Sequence, residues 1–288
     1  MNNEIYLSTG SLVERRNNYD KNTVKRIVPS FIDRGICDGA ELMMIKAYYP
    51  KLEATISDFL NEGVLFPVTH CDKDVGTLLS NAAVIRSESK KESERLKTEA
   101  YDMFKVNAEA AAMAGSKRMV LHLWGGLSSD NAVRYNIEWL DGLIEIADTY
   151  KVRLLIENVP SALTDPLNNW KMISETELEK TGLVFDTRFA TCHRQPKETL
   201  TDKYVNKHIE HVHISDYIGG LKEFSCLRPV YHPGEGTVDF ELIFSLLKEN
   251  GYSGTFTLES QGIREGNEID VNTLQKSLEF IRNNAENM

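Results

Sequence analysis

Cysteine is scarce in this 288-residue chain: there are four, Cys37, Cys71, Cys192 and Cys226, and no two of them stand in a C-x-x-C spacing. That argues against a disulfide-stapled fold and a thiolate zinc cluster. With no secretory leader ahead of the strand-like IYLSTG, reduced thiols in a cytoplasmic protein are expected. No apolar run is long enough to span a bilayer, so no membrane partner is expected. Positive charge is also short: 33 Lys and Arg face 43 Asp and Glu, a formal net charge of −10. With no basic stripe to follow a phosphate backbone, a nucleic-acid partner is not expected. GxGxxG after the first strand, a P-loop, a nucleophile elbow and a Schiff-base signature are all missing, which disfavours dinucleotide, nucleotide and covalent-intermediate chemistry of those kinds.

What the chain does have is repetition. Eight strand-like segments, IYLSTG, GAELMMI, VLFPVTH, RMVLHLW, RLLIENV, GLVFDTR, IEHVHIS and GTFTLES, are mostly separated by segments whose apolar residues recur every three or four positions. The longest of these is KKESERLKTEAYDMFKVNAEAAAMAG, and several end in glycine, as a helix C-terminus often does. Strand then helix, repeated eight times, predicts an α/β fold, a single (β/α)8 barrel in one domain over residues 1–288. Residues 219–236 and the stretch around DKDVGTLLSN read as long irregular loops on the functional face.

Ionisable residues gather at the ends of these strands. His122, Glu157, Asp186, His213, His232 and Glu259 lie at or just past the ends of successive runs, where a barrel delivers side chains to one mouth. Alternation supports an inward aim, because residues two apart share a face. Glu259 goes with Thr257, Asp186 with Val184, Glu157 with Leu155, and His211 with His213, while larger apolar sets oppose them. Taken singly, a strand-end carboxylate often caps the next helix and an inward histidine is often only hydrogen-bonded. Taken together, they call for a compensating cation, and mixed O/N donors suit a divalent ion of intermediate hardness. His70, His193 and His211 join the set by position; Trp124, with Gly125 and Gly126, could wall the mouth or pack, and Arg188 and Arg228 could hold an anionic or polyhydroxyl substrate or simply be solvated.

IENVP, FDT, HVHISD, HPGEGTVDF and the late LES together resemble the xylose isomerase-like TIM barrel superfamily, over nearly the whole chain. The superfamily holds sugar isomerases and epimerases, inosose dehydratases and an apurinic-site endonuclease branch. The resemblance implies one divalent metal, Mn²⁺ or Mg²⁺ with Co²⁺ or Zn²⁺ as alternatives, on Glu157, Asp186, His213 and Glu259. It further implies Glu157 and Glu259 as the acid/base pair of an enediolate reaction on a small sugar, polyol or keto-inositol. His70, His122, Trp124, Arg188, His211, Arg228, His232 and Glu235 are then the candidates for substrate binding or support. The three-zinc endonuclease pattern is broken, because Phe189 stands where that branch has a histidine and Arg228 and Val230 replace two further ligands. A dehydratase on the same metal, a phosphodiesterase and a non-catalytic sugar-binding barrel remain as alternatives, and a dimer or tetramer accords with the resemblance.

Overall fold

The computed structural model describes residues 3–125 and 132–288. Eight parallel strands close in sequence order into a barrel: β1 (Ile5–Ser8), β2 (Gly39–Met43), β3 (Val68–His70), β4 (Arg118–Leu121), β5 (Arg153–Glu157), β6 (Gly182–Asp186), β7 (Ile209–Ile214) and β8 (Thr255–Leu258). Each expected strand is found. The third is shorter than its apolar run, beginning only after Pro67, a residue with no N–H to give the ladder.

Alternation sorts the strand residues into two cores. The outward set, including Leu154, Ile156, Leu183, Phe185, Val212, Ile214, Phe256 and Leu258, packs in one large cluster with apolar residues of the helices. The inward set forms a separate small cluster of Tyr6, Val68, Val120, Leu155 and Val184. Barrel interiors are usually filled by such branched apolar layers. Here the fill is mixed: at β2, β7 and β8 the fully buried residues include Glu41, His211, His213 and Thr257.

One irregularity decides where the histidines point. Between β6 and β7 the register shifts, so that Leu183 pairs with Ile209 but Val184 pairs with His211 and Asp186 with His213. An unshifted ladder would set Glu210 beside Val184 and turn both histidines to the outer face, because one residue of slip inverts every side chain. Glu210 instead meets Arg153, whose Nε lies 2.9 Å from each carboxylate oxygen.

The long helix Lys90–Ala114 matches its expected bounds; Ser89 caps its start and Gly115, at φ 77°, its end. The segment around DKDVGTLLSN, expected to be loop, is helical over Asp74–Ile85. Gly76 in that helix sits against the backbone of His122, where a Cβ would come within 2.2 Å of the carbonyl oxygen, so the helix braces the end of β4. Residues 219–236 are largely irregular as expected, with a short 3-10 turn at Phe224–Leu227. Among the described residues no helix is long and apolar enough to cross a membrane.

Candidate metal centre at the mouth of the barrel

Glu157 ends β5 and Asp186 ends β6, Glu259 follows β8 by one residue, and His213 lies one residue short of the end of β7. These four bring their donor atoms within 4.8 Å of one another. Glu157 and His213 are fully buried, as is Asp186, and the Glu259 side chain is only 6% exposed. Glu157 Oε1 lies 2.8 Å from His213 Nδ1, and Glu259 Oε1 lies 3.6 Å from the same nitrogen.

Local structure fixes each carboxylate. The Asn158 amide donates to the Asp186 carbonyl at 3.1 Å and its oxygen accepts the Asp186 N–H at 2.7 Å, locking the ends of β5 and β6 together. Asp186 Oδ1 accepts the Phe189 N–H at 2.7 Å and so caps the helix Thr187–Cys192. Its Oδ2 faces Arg188, whose Nη2 is 3.5 Å away and lies 3.8 Å from Glu259 Oε2. Arg188 is itself buried and donates to the Leu227 carbonyl at 2.9 Å.

His70 and His122 complete a second group around Glu157, with donor atoms again within 4.8 Å of each other. His122 Nε2 lies 2.5 Å from Glu157 Oε2, and His70 Nε2 lies 3.4 Å from it. Phe189 packs against the His122 ring, 6.3 Å between centroids. Beneath His213 lies Glu41 of β2, a residue outside the expected set. It was readable by the same alternation test, since Ala40 and Leu42 on either side of it belong to the outer core.

The electrostatics follow from burial and from the charges packed together. Desolvation opposes charge on Glu157, but His122 and His213 outweigh it and hold the carboxyl well below its usual range. Burial also opposes charge on His213, yet Glu41, Glu259 and Glu157 around it push the imidazole well above its ordinary value. Asp186 is pushed up to about 6 by burial and by the neighbouring negative Glu157 and Glu259, against the pull of Arg188. Burial lowers His122 to about 4 despite Glu157.

Among the described residues Glu259 Oε1 is buried with no hydrogen-bond partner, 3.6 Å from His213 Nδ1. An orphaned donor atom of this kind, in a set of carboxylates and imidazoles, fits a divalent cation.

Other expected residues lie elsewhere. His211 is in the barrel, one layer below His213, with Nε2 3.0 Å from Glu41 and Nδ1 2.7 Å from Thr255 Oγ1. Trp124 does not wall the mouth: it is wholly buried in the outer core and donates from Nε1 to the Val159 carbonyl at 2.9 Å. His232 is held away from the cluster, with Nε2 2.9 Å from the Gln261 carbonyl and Nδ1 2.8 Å from Ser277 Oγ. Glu235 braces the same loop by accepting the His232 N–H at 2.9 Å and pairing with Arg264. Arg228 is exposed on that loop, and His193 accepts the Ser161 N–H at 3.1 Å. Gly125 is buried, and Gly126 lies outside the described residues.

The family model described as xylose isomerase-like TIM barrel matches residues 70–284. An uncharacterised protein of Methanocaldococcus jannaschii is 25% identical over 185 residues, 60% of each chain. The inosose dehydratase of Clostridium beijerinckii is 32% identical over 102 residues, 32% of this chain and 34% of that one. The chain thus matches less than two thirds of the length of the first relative and about a third of the second. Among solved structures, D-allulose 3-epimerase from a Methylomonas species in complex with D-allulose superposes with TM-score 0.70 at 14% identity, covering 98% of this chain and 97% of that one. The IOLI protein with a bound zinc atom superposes with TM-score 0.64 at 16% identity, covering 99% and 95%.

Proposed function

Because the chain belongs to the xylose isomerase-like TIM barrel family, we propose that it is a metal-dependent isomerase or epimerase of a small polyhydroxylated carbonyl compound. The observation that carries this reading is the pair Glu157 and Glu259, which approach His213 Nδ1 from separate strands within one buried donor set. Glu157, Asp186, His213 and Glu259 would hold one divalent cation, Mn²⁺ or Mg²⁺, with Co²⁺ or Zn²⁺ as alternatives. When bound, that ion supplies Lewis-acid polarisation of a substrate carbonyl, which acidifies the adjacent C–H. Of the two glutamates, one removes the α proton and the other returns it, so that a carbon centre is inverted or a carbonyl moved to its neighbour. Arg188 contributes a fixed positive charge beside Asp186 and Glu259 and orients a hydroxyl-rich substrate. His70 and His122 hold Glu157 in place from its far side.

The epimerase neighbours support the sugar-like substrate class, and the zinc in the IOLI structure supports a metal at this mouth. The test is incubation of ketoses, aldoses and keto-inositols with Mg²⁺-loaded protein in D₂O, followed by NMR. Deuterium incorporated at a carbon next to the carbonyl, with a new epimer or isomer, is the expected result. No exchange with any of these classes would sink the proposal. The match to inosose dehydratases favours one second reading, elimination of water at the same site; a product lighter by one water would identify it.

A further inference from the structure

A carboxylate buried among histidines one layer below the mouth has no part in the reaction just described. Glu41 is fully buried. Its Oε2 takes three donors: His213 Nε2 at 3.1 Å, His211 Nε2 at 3.0 Å and Thr257 Oγ1 at 2.9 Å. It reaches them from β2, which is not a neighbour of β7 in the barrel. His211 is fixed in turn by Thr255 Oγ1 at 2.7 Å, and its ring meets that of His213 edge to face, 5.0 Å between centroids.

As a structural device this arrangement is expensive. A buried charge is generally less stabilising than a well-packed apolar residue of the same volume, and among the described residues Glu41 Oε1 is buried without a hydrogen-bond partner. The arrangement does achieve one thing that an apolar residue could not. Glu41 accepts the Nε2–H of His213, so Nδ1 is the ring atom turned toward Glu157 and Glu259, free to give up its proton and serve as the ligand.

We propose that Glu41 is a positioning residue of the metal centre, fixing the orientation and tautomer in which His213 offers Nδ1 as a ligand. Carboxylates behind ligating histidines commonly do this, and their loss weakens metal binding by about 10–100-fold. The proposal rests on the metal-centre reading above. Thr257 and His211 then keep Glu41 Oε2 in place rather than act on a substrate.

The test uses metal-free full-length protein, Glu41→Gln and Glu41→Leu, with Mn²⁺ affinity measured by competition against a fluorescent chelator. Beside it, the histidine ring protons are followed by ¹H–¹⁵N NMR in the Zn²⁺-loaded state. The wild type is expected to show a low-field His213 Nε2–H, absent or moved upfield in Glu41→Leu. Mn²⁺ affinity is expected to fall about 10–100-fold in Glu41→Leu and by a smaller factor in Glu41→Gln, whose amide oxygen still accepts from one ring. Both variants are checked by thermal unfolding, and if Glu41→Leu does not fold, the near-isosteric Glu41→Gln carries the test. Wild-type affinity in a folded variant, with the ring signal unmoved, overturns this inference alone. A wild type that takes up neither Mn²⁺ nor Zn²⁺ overturns the metal-centre reading and the role of Glu41 with it.

Discussion

Several side chains at the mouth do two jobs at once. Asp186 caps a helix through Oδ1 and presents Oδ2 to Arg188, so removing it would disturb both the fold and the site. Glu157 is cleaner to test, since among the described residues its side-chain hydrogen bonds and ion pairs are to histidines. Glu157→Gln keeps the volume and removes the base; kcat should fall about 10²–10⁴-fold with the unfolding midpoint within a few degrees of wild type. Full turnover in that variant would remove the residue from the mechanism. His193 offers a different test, because the Ser161 N–H donates to its Nε2 and therefore requires a neutral ring. Burial, and then the charge of Lys222, push its pKa down to about 4 from an ordinary 6.5. A group whose folded pKa is depressed in this way binds protons more readily when unfolded. Its contribution is complete above about pH 6.5 and is lost as the pH falls toward about 4. Urea unfolding at pH 7.5 and pH 4.5 should therefore show that wild type loses more stability on acidification than His193→Gln, by something on the order of 1–3 kcal/mol. Equal losses would mean that this ring is already solvated.

The loop after β7 is organised by an element-level device that the sequence displays without explaining. Asp216 Oδ2 accepts the N–H groups of Gly234 and Gly236, each at 2.9 Å, and Oδ1 accepts those of Val238 and Tyr217 at 3.0 and 2.8 Å. A Cβ on Gly236 would lie 2.4 Å from Asp216 Oδ1, so only glycine lets the backbone come this close. HVHISD and HPGEG are thus two halves of one turn, and HPGEG belongs to it rather than to the ligand set. Asp216→Ala leaves four buried or half-buried N–H groups without this acceptor and should cost about 2–4 kcal/mol in denaturant unfolding. A loss below about 0.5 kcal/mol would show that water replaces the carboxylate. The same distinction explains what could be read in advance. Strand order and the inward aim of Glu157, Asp186, His213 and Glu259 were legible, because alternation is a local property of each strand. The register shift at Leu183/Val184 was not, since pairing is decided between strands. The place of His232 away from the cluster is not legible for a related reason: Ser277, which holds its ring, is 45 residues away. The helix Asp74–Ile85 escaped because its first turns carry Gly76, Ser80 and Asn81, which read as loop. Glu41 was simply overlooked, although its place inside an apolar strand was a visible signal.

Across the whole molecule the interior is divided, with an apolar layer supplied by β1 and β3 to β6 and polar residues by β2, β7 and β8. The expected ligands come from β5, β6, β7 and the end of β8, four consecutive strands, so a bound cation would tie half the barrel together at its mouth. Burial, with the like charges of Glu157 and Glu259, pushes Asp186 up to about 6, and a cation among these carboxylates would favour its charged form. Binding to the folded state alone stabilises it by about 2.7 kcal/mol at a hundred times Kd. For a chain of this length that corresponds to a rise in Tm of about 4–5 °C. Calorimetry of chelator-treated protein should show this rise on adding Mn²⁺, its reversal by EDTA, and little response in Glu259→Gln. Hydrogen exchange should locate the added protection in β5 to β8 rather than in β2 to β4, because only the former are clasped. A rise spread evenly around the barrel would place the cation elsewhere, and no rise with Mn²⁺, Mg²⁺, Co²⁺ or Zn²⁺ would mean that these four residues do not form a metal centre.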